Sequence, residues 1–262
     1  MHWQSITLVY AIYLAIVSFL RPEFRRARPT LLVAVAAAGL VALTPANVAA
    51  NTAFAAIVPA LVLLAGYRLS GLLFVRIDAR VEAALLALDR SWLGRTGLMR
   101  AYATAPRIVH EYLETSYLLV YAALPAGAMT LVVTGHTSML DYYWTVVLAA
   151  EFVCYGVLPW IQTRPPMLLE DERTTLPPLR GMRRLNQLIA RRASIQANTI
   201  PSGHAAGALA AALVVMSVAP VIGMLFLVLA LNIIVASVLG RYHYAVDSLL
   251  GILVAVVAWA AV

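Results

Sequence analysis

The sequence has no lysine, little charge and almost no cysteine. Only 12% of its 262 residues are charged, which is about half of the fraction found in soluble domains. All 19 basic residues are arginine, and we attribute the missing lysine to a GC-rich coding sequence rather than to function. Hydrophobic residues make up 63% of the chain. This composition excludes an ordinary soluble domain and indicates a membrane protein.

The single cysteine, Cys154, lies within an apolar stretch. One cysteine excludes an internal disulfide and a cysteine-based metal cluster, so we interpret Cys154 as a small buried apolar residue. The net charge of +7 comes from arginines in the connections between apolar stretches. Such arginines act as topology signals, and we therefore expect no nucleic-acid partner.

Eight apolar stretches reach or approach the length of about 20 residues that a helix needs to cross a bilayer. No cleavable signal peptide is expected, because no arginine or lysine precedes the first stretch and no small-residue cleavage site follows it. We predict an all-α polytopic membrane protein. Its predicted spans are 5–20, 30–44, 50–67, 113–133, 141–161, 204–219, 221–239 and 245–262.

A long polar connection at 68–110 separates the third and fourth spans. It carries the apolar residues Val81, Ala84, Leu85 and Leu88 at helical spacing, with charged residues between them. This pattern predicts an amphipathic helix that lies on the membrane surface.

A second long connection, at 162–203, contains an acidic run, a Pro-Pro pair and two pairs of arginines. A connection of this length between spans carries function or disorder, and we expect an active-site loop. We therefore predict an N-terminal transmembrane hairpin over 1–49 and a core over 50–262. The core would include both polar connections.

The distribution of arginine predicts the orientation of the chain. With eight spans, all 19 arginines fall on one side of the membrane and none falls in the loops opposite. The positive-inside rule places the arginine-rich side in the cytoplasm and both termini outside. We expect a multi-pass protein of the cell membrane.

The run GRYHYAVD at 240–247 concentrates polar side chains at the end of the seventh span. His243 and Asp247 are four residues apart and would share one face of a helix. A carboxylate that accepts a hydrogen bond from one ring nitrogen leaves the other nitrogen free to attack. Arg241 adds a guanidinium suited to phosphate oxygens. A juxtamembrane ion pair between His243 and Asp247 is the structural alternative.

The tetrad PSGH at 201–204 precedes the sixth span. Ser202 is a favourable N-cap, and Gly203 lets the backbone approach an anion at the start of the helix. His204 would then lie in the first turn, where it could protonate a leaving oxygen. An ordinary helix start is the alternative for this tetrad alone.

Arg164 and Pro165 follow the fifth span on the same arginine-rich side. Arg164 could supply a second guanidinium to a phosphate, or it could be an ordinary topology signal. Together with the two histidines, these residues are suited to attack on a phosphate ester by a histidine.

The three pieces resemble the motifs of the type 2 phosphatidic acid phosphatase superfamily, which read Lys-x6-Arg-Pro, PSGH and Ser-Arg-x5-His-x3-Asp. The resemblance implies a six-helix core with two additional N-terminal spans, and neither a metal nor another cofactor. It implies His243 as the nucleophile, Asp247 as its orienting carboxylate and His204 as the general acid. The phosphate of a lipid substrate would be bound by Ser202, Gly203, Arg164 and Arg241.

Three positions depart from these motifs. Val157 stands where the first motif has lysine, and Ala236 and Ser237 stand where the last motif has serine and arginine. Arg241 follows Ser237 by four residues, so on a continuous helix it would share that face and replace the missing guanidinium. The arrangement RYHYxxD resembles the branch that contains inositol phosphorylceramide synthase, whose enzymes transfer a phosphoryl headgroup to an alcohol.

Three functions stay open on these residues. The first is a phosphatase that hydrolyses a lipid phosphate through a phosphohistidine. The second is a phosphotransferase with the same first half-reaction and an alcohol acceptor. The third is a transporter or scaffold without turnover, which the complete set of His204, His243 and Asp247 disfavours.

Other polar residues in the spans receive structural interpretations. Glu151 is expected to be protonated or hydrogen-bonded to a neighbouring helix, because a charge inside a membrane is costly; a role in lining a substrate groove is the alternative. Glu111, Glu114, Tyr117 and Tyr121 follow helical spacing in the fourth span, and we expect packing and interfacial anchoring from them.

Overall fold

The computed structural model describes residues 2–49, 51–169 and 176–262. Over these ranges the chain is helical and forms no strand, apart from one isolated antiparallel bridge between Thr163 and Asn198. This confirms the prediction of an all-α fold.

Thirteen α-helices follow one another in the described part of the chain. Short 3-10 turns also occur at Pro22–Ala27, Thr137–Met139 and Pro166–Leu168. The α-helices are α1 (Trp3–Leu20), α2 (Arg28–Ala42), α3 (Ala46–Ala49), α4 (Thr52–Gly71), α5 (Ala79–Thr96), α6 (Leu98–Ala103), α7 (Arg107–Leu118), α8 (Val120–Val133), α9 (Leu140–Gly156), α10 (Gly181–Ala193), α11 (Gly203–Val218), α12 (Pro220–Leu239) and α13 (Ala245–Ala261).

Each predicted span coincides with a helix, except that the fourth is divided. Residues predicted as one span at 113–133 form α7 and α8, which meet at a bend of 57°. Among the described residues, α1, α4 and α12 are long and apolar enough to cross a membrane, and the bent pair would make a fourth span. Helices α11 and α13 are apolar but shorter. The count of eight spans stays a prediction.

Helix α11 lies at the centre of the bundle and packs against α8, α9, α12 and α13. Glycine and alanine dominate its sequence, GHAAGALAAAL, and all residues from Ala205 to Ala212 are buried. Small side chains let neighbouring helices approach closely. The PSGH tetrad therefore starts a largely buried helix at the centre of the bundle.

The N-terminal hairpin packs directly on this bundle. Helix α1 contacts α2, α4 and α9. The ring of Tyr10 stacks on Phe152 of α9 at a centroid distance of 4.1 Å, and both rings belong to the main hydrophobic core. The hairpin thus shares its core with the rest of the chain, and the domain boundary at residue 49 stays a prediction.

Helix α5 confirms the helix predicted in the first polar connection, but its polar face is the one turned toward the protein. Glu82 and Asp89 are buried, whereas Leu88 and Trp92 are exposed. A soluble surface helix would bury its apolar stripe instead. An apolar face left outside the protein suits a helix that lies in a membrane interface.

Helix α10, in the second polar connection, has the same inverted arrangement. It buries Arg183, Asn186 and Gln187 while Leu185 and Leu188 remain exposed. Buried polar side chains require hydrogen-bond partners. The buried polar side chains of α5 and α10 contact the chain segments that carry the predicted site residues.

Candidate active site

The PSGH tetrad begins helix α11 as predicted. Ser202 is the N-cap, and its Oγ accepts a hydrogen bond from the Ala205 amide at 3.3 Å. The Gly203 amide donates to Thr199 Oγ1 at 3.3 Å. His204 is the second residue of the helix, so its side chain projects from the first turn beside the positive end of the helix dipole.

The PSGH turn is fixed against α13. The Ser202 amide donates to the carbonyl oxygen of Asp247 at 2.9 Å. One turn further along α13, Gly251 faces the Ser202 carbonyl, which would lie 2.6 Å from an added Cβ. Such a distance is below any normal Cβ contact. The missing side chain at Gly251 therefore sets how closely the two predicted catalytic segments approach each other.

Gly251→Ala is expected to push the PSGH turn away from α13. Because the atom it meets is backbone, overpacking should cost about 1–3 kcal/mol of stability and lower catalytic activity. The matched control is Gly39→Ala in α2, where an added Cβ meets nothing within 4 Å. Thermal unfolding and initial rates would be compared. Equal behaviour of the two variants would contradict this packing role.

His243 and Asp247 approach each other, although they do not share a helix. Helix α13 begins only at Ala245, and the Asp247 carboxylate accepts a hydrogen bond from the Tyr244 amide at 3.0 Å. This cap fixes the helix start after His243, so the expectation of one continuous helical face was wrong. His243 Nδ1 nevertheless lies 3.7 Å from Asp247 Oδ2, and both side chains are buried.

Asp247 is held by a second donor. Asn198 Nδ2 donates to Asp247 Oδ2 at 2.8 Å, and the Asn198 amide donates to the carbonyl of Thr163 at 2.8 Å. These bonds connect the residues before Arg164, the residues before PSGH and the start of α13. The carboxylate is thereby oriented beside the His243 ring.

His204 and His243 line the same cavity, of about 80 Å³, with their ring centroids 5.4 Å apart. The His204 ring stacks on Tyr117 at 5.2 Å, and Tyr117 stacks on Tyr242 at 4.0 Å. Tyr121 meets the edge of the His204 ring. Tyr117 and Tyr121, interpreted from the sequence as packing residues, thus hold one of the two histidines in place.

Arg164 pairs with a carboxylate of α5. Its Nη2 lies 2.7 Å from Glu82 Oε2, and its amide donates to Glu82 Oε1 at 3.0 Å. The hydrogen bond and charge of Arg164 hold the pKa of the Glu82 carboxyl below its ordinary value. About 40% of the Arg164 side chain remains exposed. Arg164 is not among the residues that line the cavity of the two histidines.

Arg241 pairs with the other buried carboxylate of α5, Asp89. Asp89 also accepts a hydrogen bond from the amide of Ala245 at 2.7 Å, at the start of α13. Helix α12 ends at Leu239, and Arg241 follows it in a left-handed backbone conformation with φ 64°. The expected helical face shared with Ser237 was therefore wrong, because the helix has ended before Arg241.

Ser237 itself lies inside the bundle, where its Oγ is 3.2 Å from Ser248 Oγ. Like Arg164, Arg241 does not line the cavity of the histidines. Its contribution to phosphate binding, including the replacement of the missing motif arginine, stays a prediction.

Sequence reasoning missed the contribution of α10 to this cavity. Arg191 and Ser194 line it together with Thr199. Arg191 continues the row of Arg183 and Gln187 at four-residue spacing, which places all three near one face of α10. The sequence feature that could have predicted this contribution is the helical spacing of polar residues within an arginine-rich connection.

Glu114 was also assigned too small a role. Its carboxylate accepts hydrogen bonds from Arg183 at 2.9 Å, from Asn186 at 2.8 Å and from the Tyr242 hydroxyl at 2.6 Å. Glu114 thus joins α7 and α10 to the residue before His243. A carboxylate within an apolar stretch was the signal.

Glu151 is buried against the first two turns of α11. An added Cβ on Gly203 would lie 2.5 Å from Glu151 Oε2, and one on Gly207 would meet Oε1. The two glycines thus leave room for this carboxyl beside the predicted catalytic helix. Among the described residues, no group of three or more His, Cys, Asp or Glu side chains could hold a metal ion.

A family model described as PAP2 superfamily matches residues 83–261, which include α11, His204, His243 and Asp247. No curated protein and no solved structure matches the chain.

Proposed function

Because the chain belongs to the PAP2 superfamily, we propose that it is a membrane enzyme that hydrolyses a lipid phosphomonoester through a phosphohistidine intermediate. The family indicates lipid phosphate chemistry of the phosphatase or phosphotransferase type. One observation carries the proposal further. His204 and His243 line a single cavity, and Asp247 lies against His243 on the side of Nδ1.

In the proposed reaction, the second ring nitrogen of His243, Nε2, attacks phosphorus. The bond from phosphorus to the lipid oxygen breaks, and His204 donates its proton to the departing alkoxide. Asp247 stabilises the charge on the His243 ring through Nδ1. Water, deprotonated by His204, then attacks the phosphohistidine, and inorganic phosphate leaves.

The start of α11 is one part of the proposed phosphate site, because backbone amides at the N-terminus of a helix, with the helix dipole behind them, favour an anion. Ser202 and Gly203 form this turn, and their amides, which donate to the Asp247 carbonyl and to Thr199 Oγ1, would exchange these bonds for the phosphate. We retain Arg164 and Arg241 as predicted phosphate ligands. To bind the substrate phosphate, each would have to give up part of its hydrogen bonding to Glu82 or Asp89.

Arg191 is predicted to bind the substrate phosphate directly, since it lines the cavity with both histidines. Loss of one charge-assisted hydrogen bond should cost about 1.5–3 kcal/mol. Arg191→Gln should therefore raise KM by on the order of 10-fold or more. Arg192→Gln is the matched control, because Arg192 is an exposed neighbour that does not line the cavity. Equal KM values for the two variants would remove Arg191 from the site.

The alternative is a phosphotransferase, which the RYHYxxD arrangement favours. The two reactions share the phosphohistidine and differ only in the acceptor. Purified protein would be incubated with a panel of lipid phosphates, with and without candidate alcohols. Phosphate release without alcohol supports hydrolysis, a phosphorylated alcohol supports transfer, and phosphate binding without turnover supports a transporter or scaffold.

We further propose that the cavity faces the cytoplasm of a cell-membrane protein and acts on a lipid phosphate of the inner leaflet. The first two arginine-containing connections lie before the predicted site and hold 11 arginines, whereas the loops on the opposite side of the membrane hold none. The orientation that the positive-inside rule predicts therefore does not depend on the arginines of the site.

The orientation can be tested by cysteine labelling in intact cells. Single cysteines would replace Thr137 and Ala193, both exposed, in a Cys154→Ser background. An impermeant maleimide should label position 137 and spare position 193, with lysed cells as the control for reactivity. The reverse pattern would overturn both the orientation and the inner-leaflet substrate.

A further inference from the structure

A second cavity, of about 240 Å³, lies between α7 and α10, outside the cavity of the two histidines. Basic side chains outnumber acidic ones in its wall. The titratable residues that line it are Arg107, His110, Glu111, Glu114, Arg180 and Arg183.

Arg183 is a buried basic residue of this wall, with only 3% of its side chain exposed. Its Nη1 donates to Glu114 Oε1 at 2.9 Å. Its Nε and Nη2 are buried and have no hydrogen-bond partner. Buried donors of a charged group are costly to leave unpaired, so the guanidinium lacks an acceptor on the side of these two nitrogens.

The carboxylates of the wall are already engaged. Glu114 accepts hydrogen bonds from Arg183, Asn186 and Tyr242. Glu111 accepts from the Met182 amide at 2.9 Å and from Arg107 Nε at 3.3 Å. The missing acceptor must therefore come from outside these two side chains.

The two unpaired nitrogens define the chemistry of that acceptor. Nε and Nη2 form one edge of the planar guanidinium and present two parallel N–H groups, which match two oxygens of a phosphate. Arg180, at the exposed start of α10, adds a second positive charge. We propose that this cavity binds a phosphate group, either free or on the headgroup of an anionic lipid.

The proposed site is connected to the catalytic cavity through Glu114. The carboxylate that holds Arg183 also accepts from the Tyr242 hydroxyl, and Tyr242 stacks on Tyr117, which stacks on His204. A phosphate bound to Arg183 would thus also restrict the Glu114 side chain, which contacts Tyr242 at one end of the stacked rings of Tyr242, Tyr117 and His204. The site is nevertheless distinct from the catalytic cavity, so its test does not depend on turnover.

Native mass spectrometry of the purified full-length protein in detergent would count the bound ligands. The probes are inorganic phosphate and phosphatidylglycerol, measured separately. The Arg183→Gln variant should bind one ligand molecule fewer per protein than the wild type. Since a buried substitution could prevent folding, Arg180→Gln at an exposed position is the second variant, and its affinity should fall about 10-fold. Arg184→Gln, exposed on α10 and outside the cavity wall, should match the wild type.

Loss of inorganic phosphate in Arg183→Gln and Arg180→Gln would support the site with a free anion as its ligand. Loss of phosphatidylglycerol alone would support the site with a lipid headgroup as its ligand. If Arg180→Gln, and Arg183→Gln where it folds, retain both ligands at wild-type affinity, the cavity binds no phosphate and the proposal is overturned.

Discussion

Replacement of His243 by alanine is expected to reduce turnover of a lipid phosphate by on the order of 10⁴-fold or more, because the reaction loses its nucleophile. We do not expect His204 to substitute for it, because the ring contacts of His204 are with Tyr117, Tyr121 and His243, whereas the Asp247 carboxylate lies 3.7 Å from Nδ1 of His243. Initial rates of phosphate release would be measured on the lipid panel.

The matched control is His136→Ala, because His136 lies in the loop between α8 and α9, where its ring is hydrogen-bonded to the nearby Thr134 hydroxyl. It should leave the rate unchanged. Near-wild-type turnover by the His243 variant, with the control equally active, would exclude a phosphohistidine at this position.

Replacement of His204 by alanine should have an effect that depends on the leaving group. A lipid alkoxide needs a proton to leave, and removing a general acid typically costs 10²–10⁴-fold. An activated aryl phosphate leaves without protonation, so its first step should be much less affected. Single-turnover rates of phosphoenzyme formation would separate this step from the later attack of water.

Equal losses on the lipid and on the aryl phosphate would contradict general-acid catalysis by His204. They would indicate instead that His204 only shapes the cavity between Tyr117 and His243. Far-UV circular dichroism and thermal unfolding would verify that the variant is folded before either interpretation is accepted.

Local signals in the sequence were sufficient for the helices and for the start of α11. Long apolar stretches predict helices because only a helix satisfies its own backbone within a membrane. The PSGH tetrad predicts a helix start because Ser202 can cap it, and Ser202 does so. The closeness of His243 and Asp247 followed from their spacing in the sequence, even though the helix begins after His243.

The partners of the two predicted phosphate-binding arginines were not predictable in this way. Arg164 and Glu82 are 82 residues apart, and Arg241 and Asp89 are 152 residues apart. The apolar residues of α5 predicted a helix on the membrane surface, but they did not predict that its opposite face would bury Glu82 and Asp89 against the protein. Tertiary contacts decide such an orientation, because a buried carboxylate without a partner is strongly destabilising, and Arg164 and Arg241 supply the partners of Glu82 and Asp89.

The backbone of Arg241 shows the same limit. Its distance of four residues from Ser237 suggested one helical face, but Gly240 ends α12 and Arg241 adopts a left-handed conformation. Periodicity describes a helix only as far as that helix continues. The position of a helix end, which depends on its caps and its neighbours, was the missing information.

The most direct test of the proposed function is to trap the phosphorylated enzyme. Protein would be mixed with a lipid labelled in its phosphate, quenched with alkali within the first turnover and digested, and the phosphorylated peptide would be sequenced by mass spectrometry. We predict an acid-labile phosphate on His243, absent from His243→Ala. A phosphate on another residue such as Ser202, or turnover without any phosphoenzyme, would contradict the proposed mechanism.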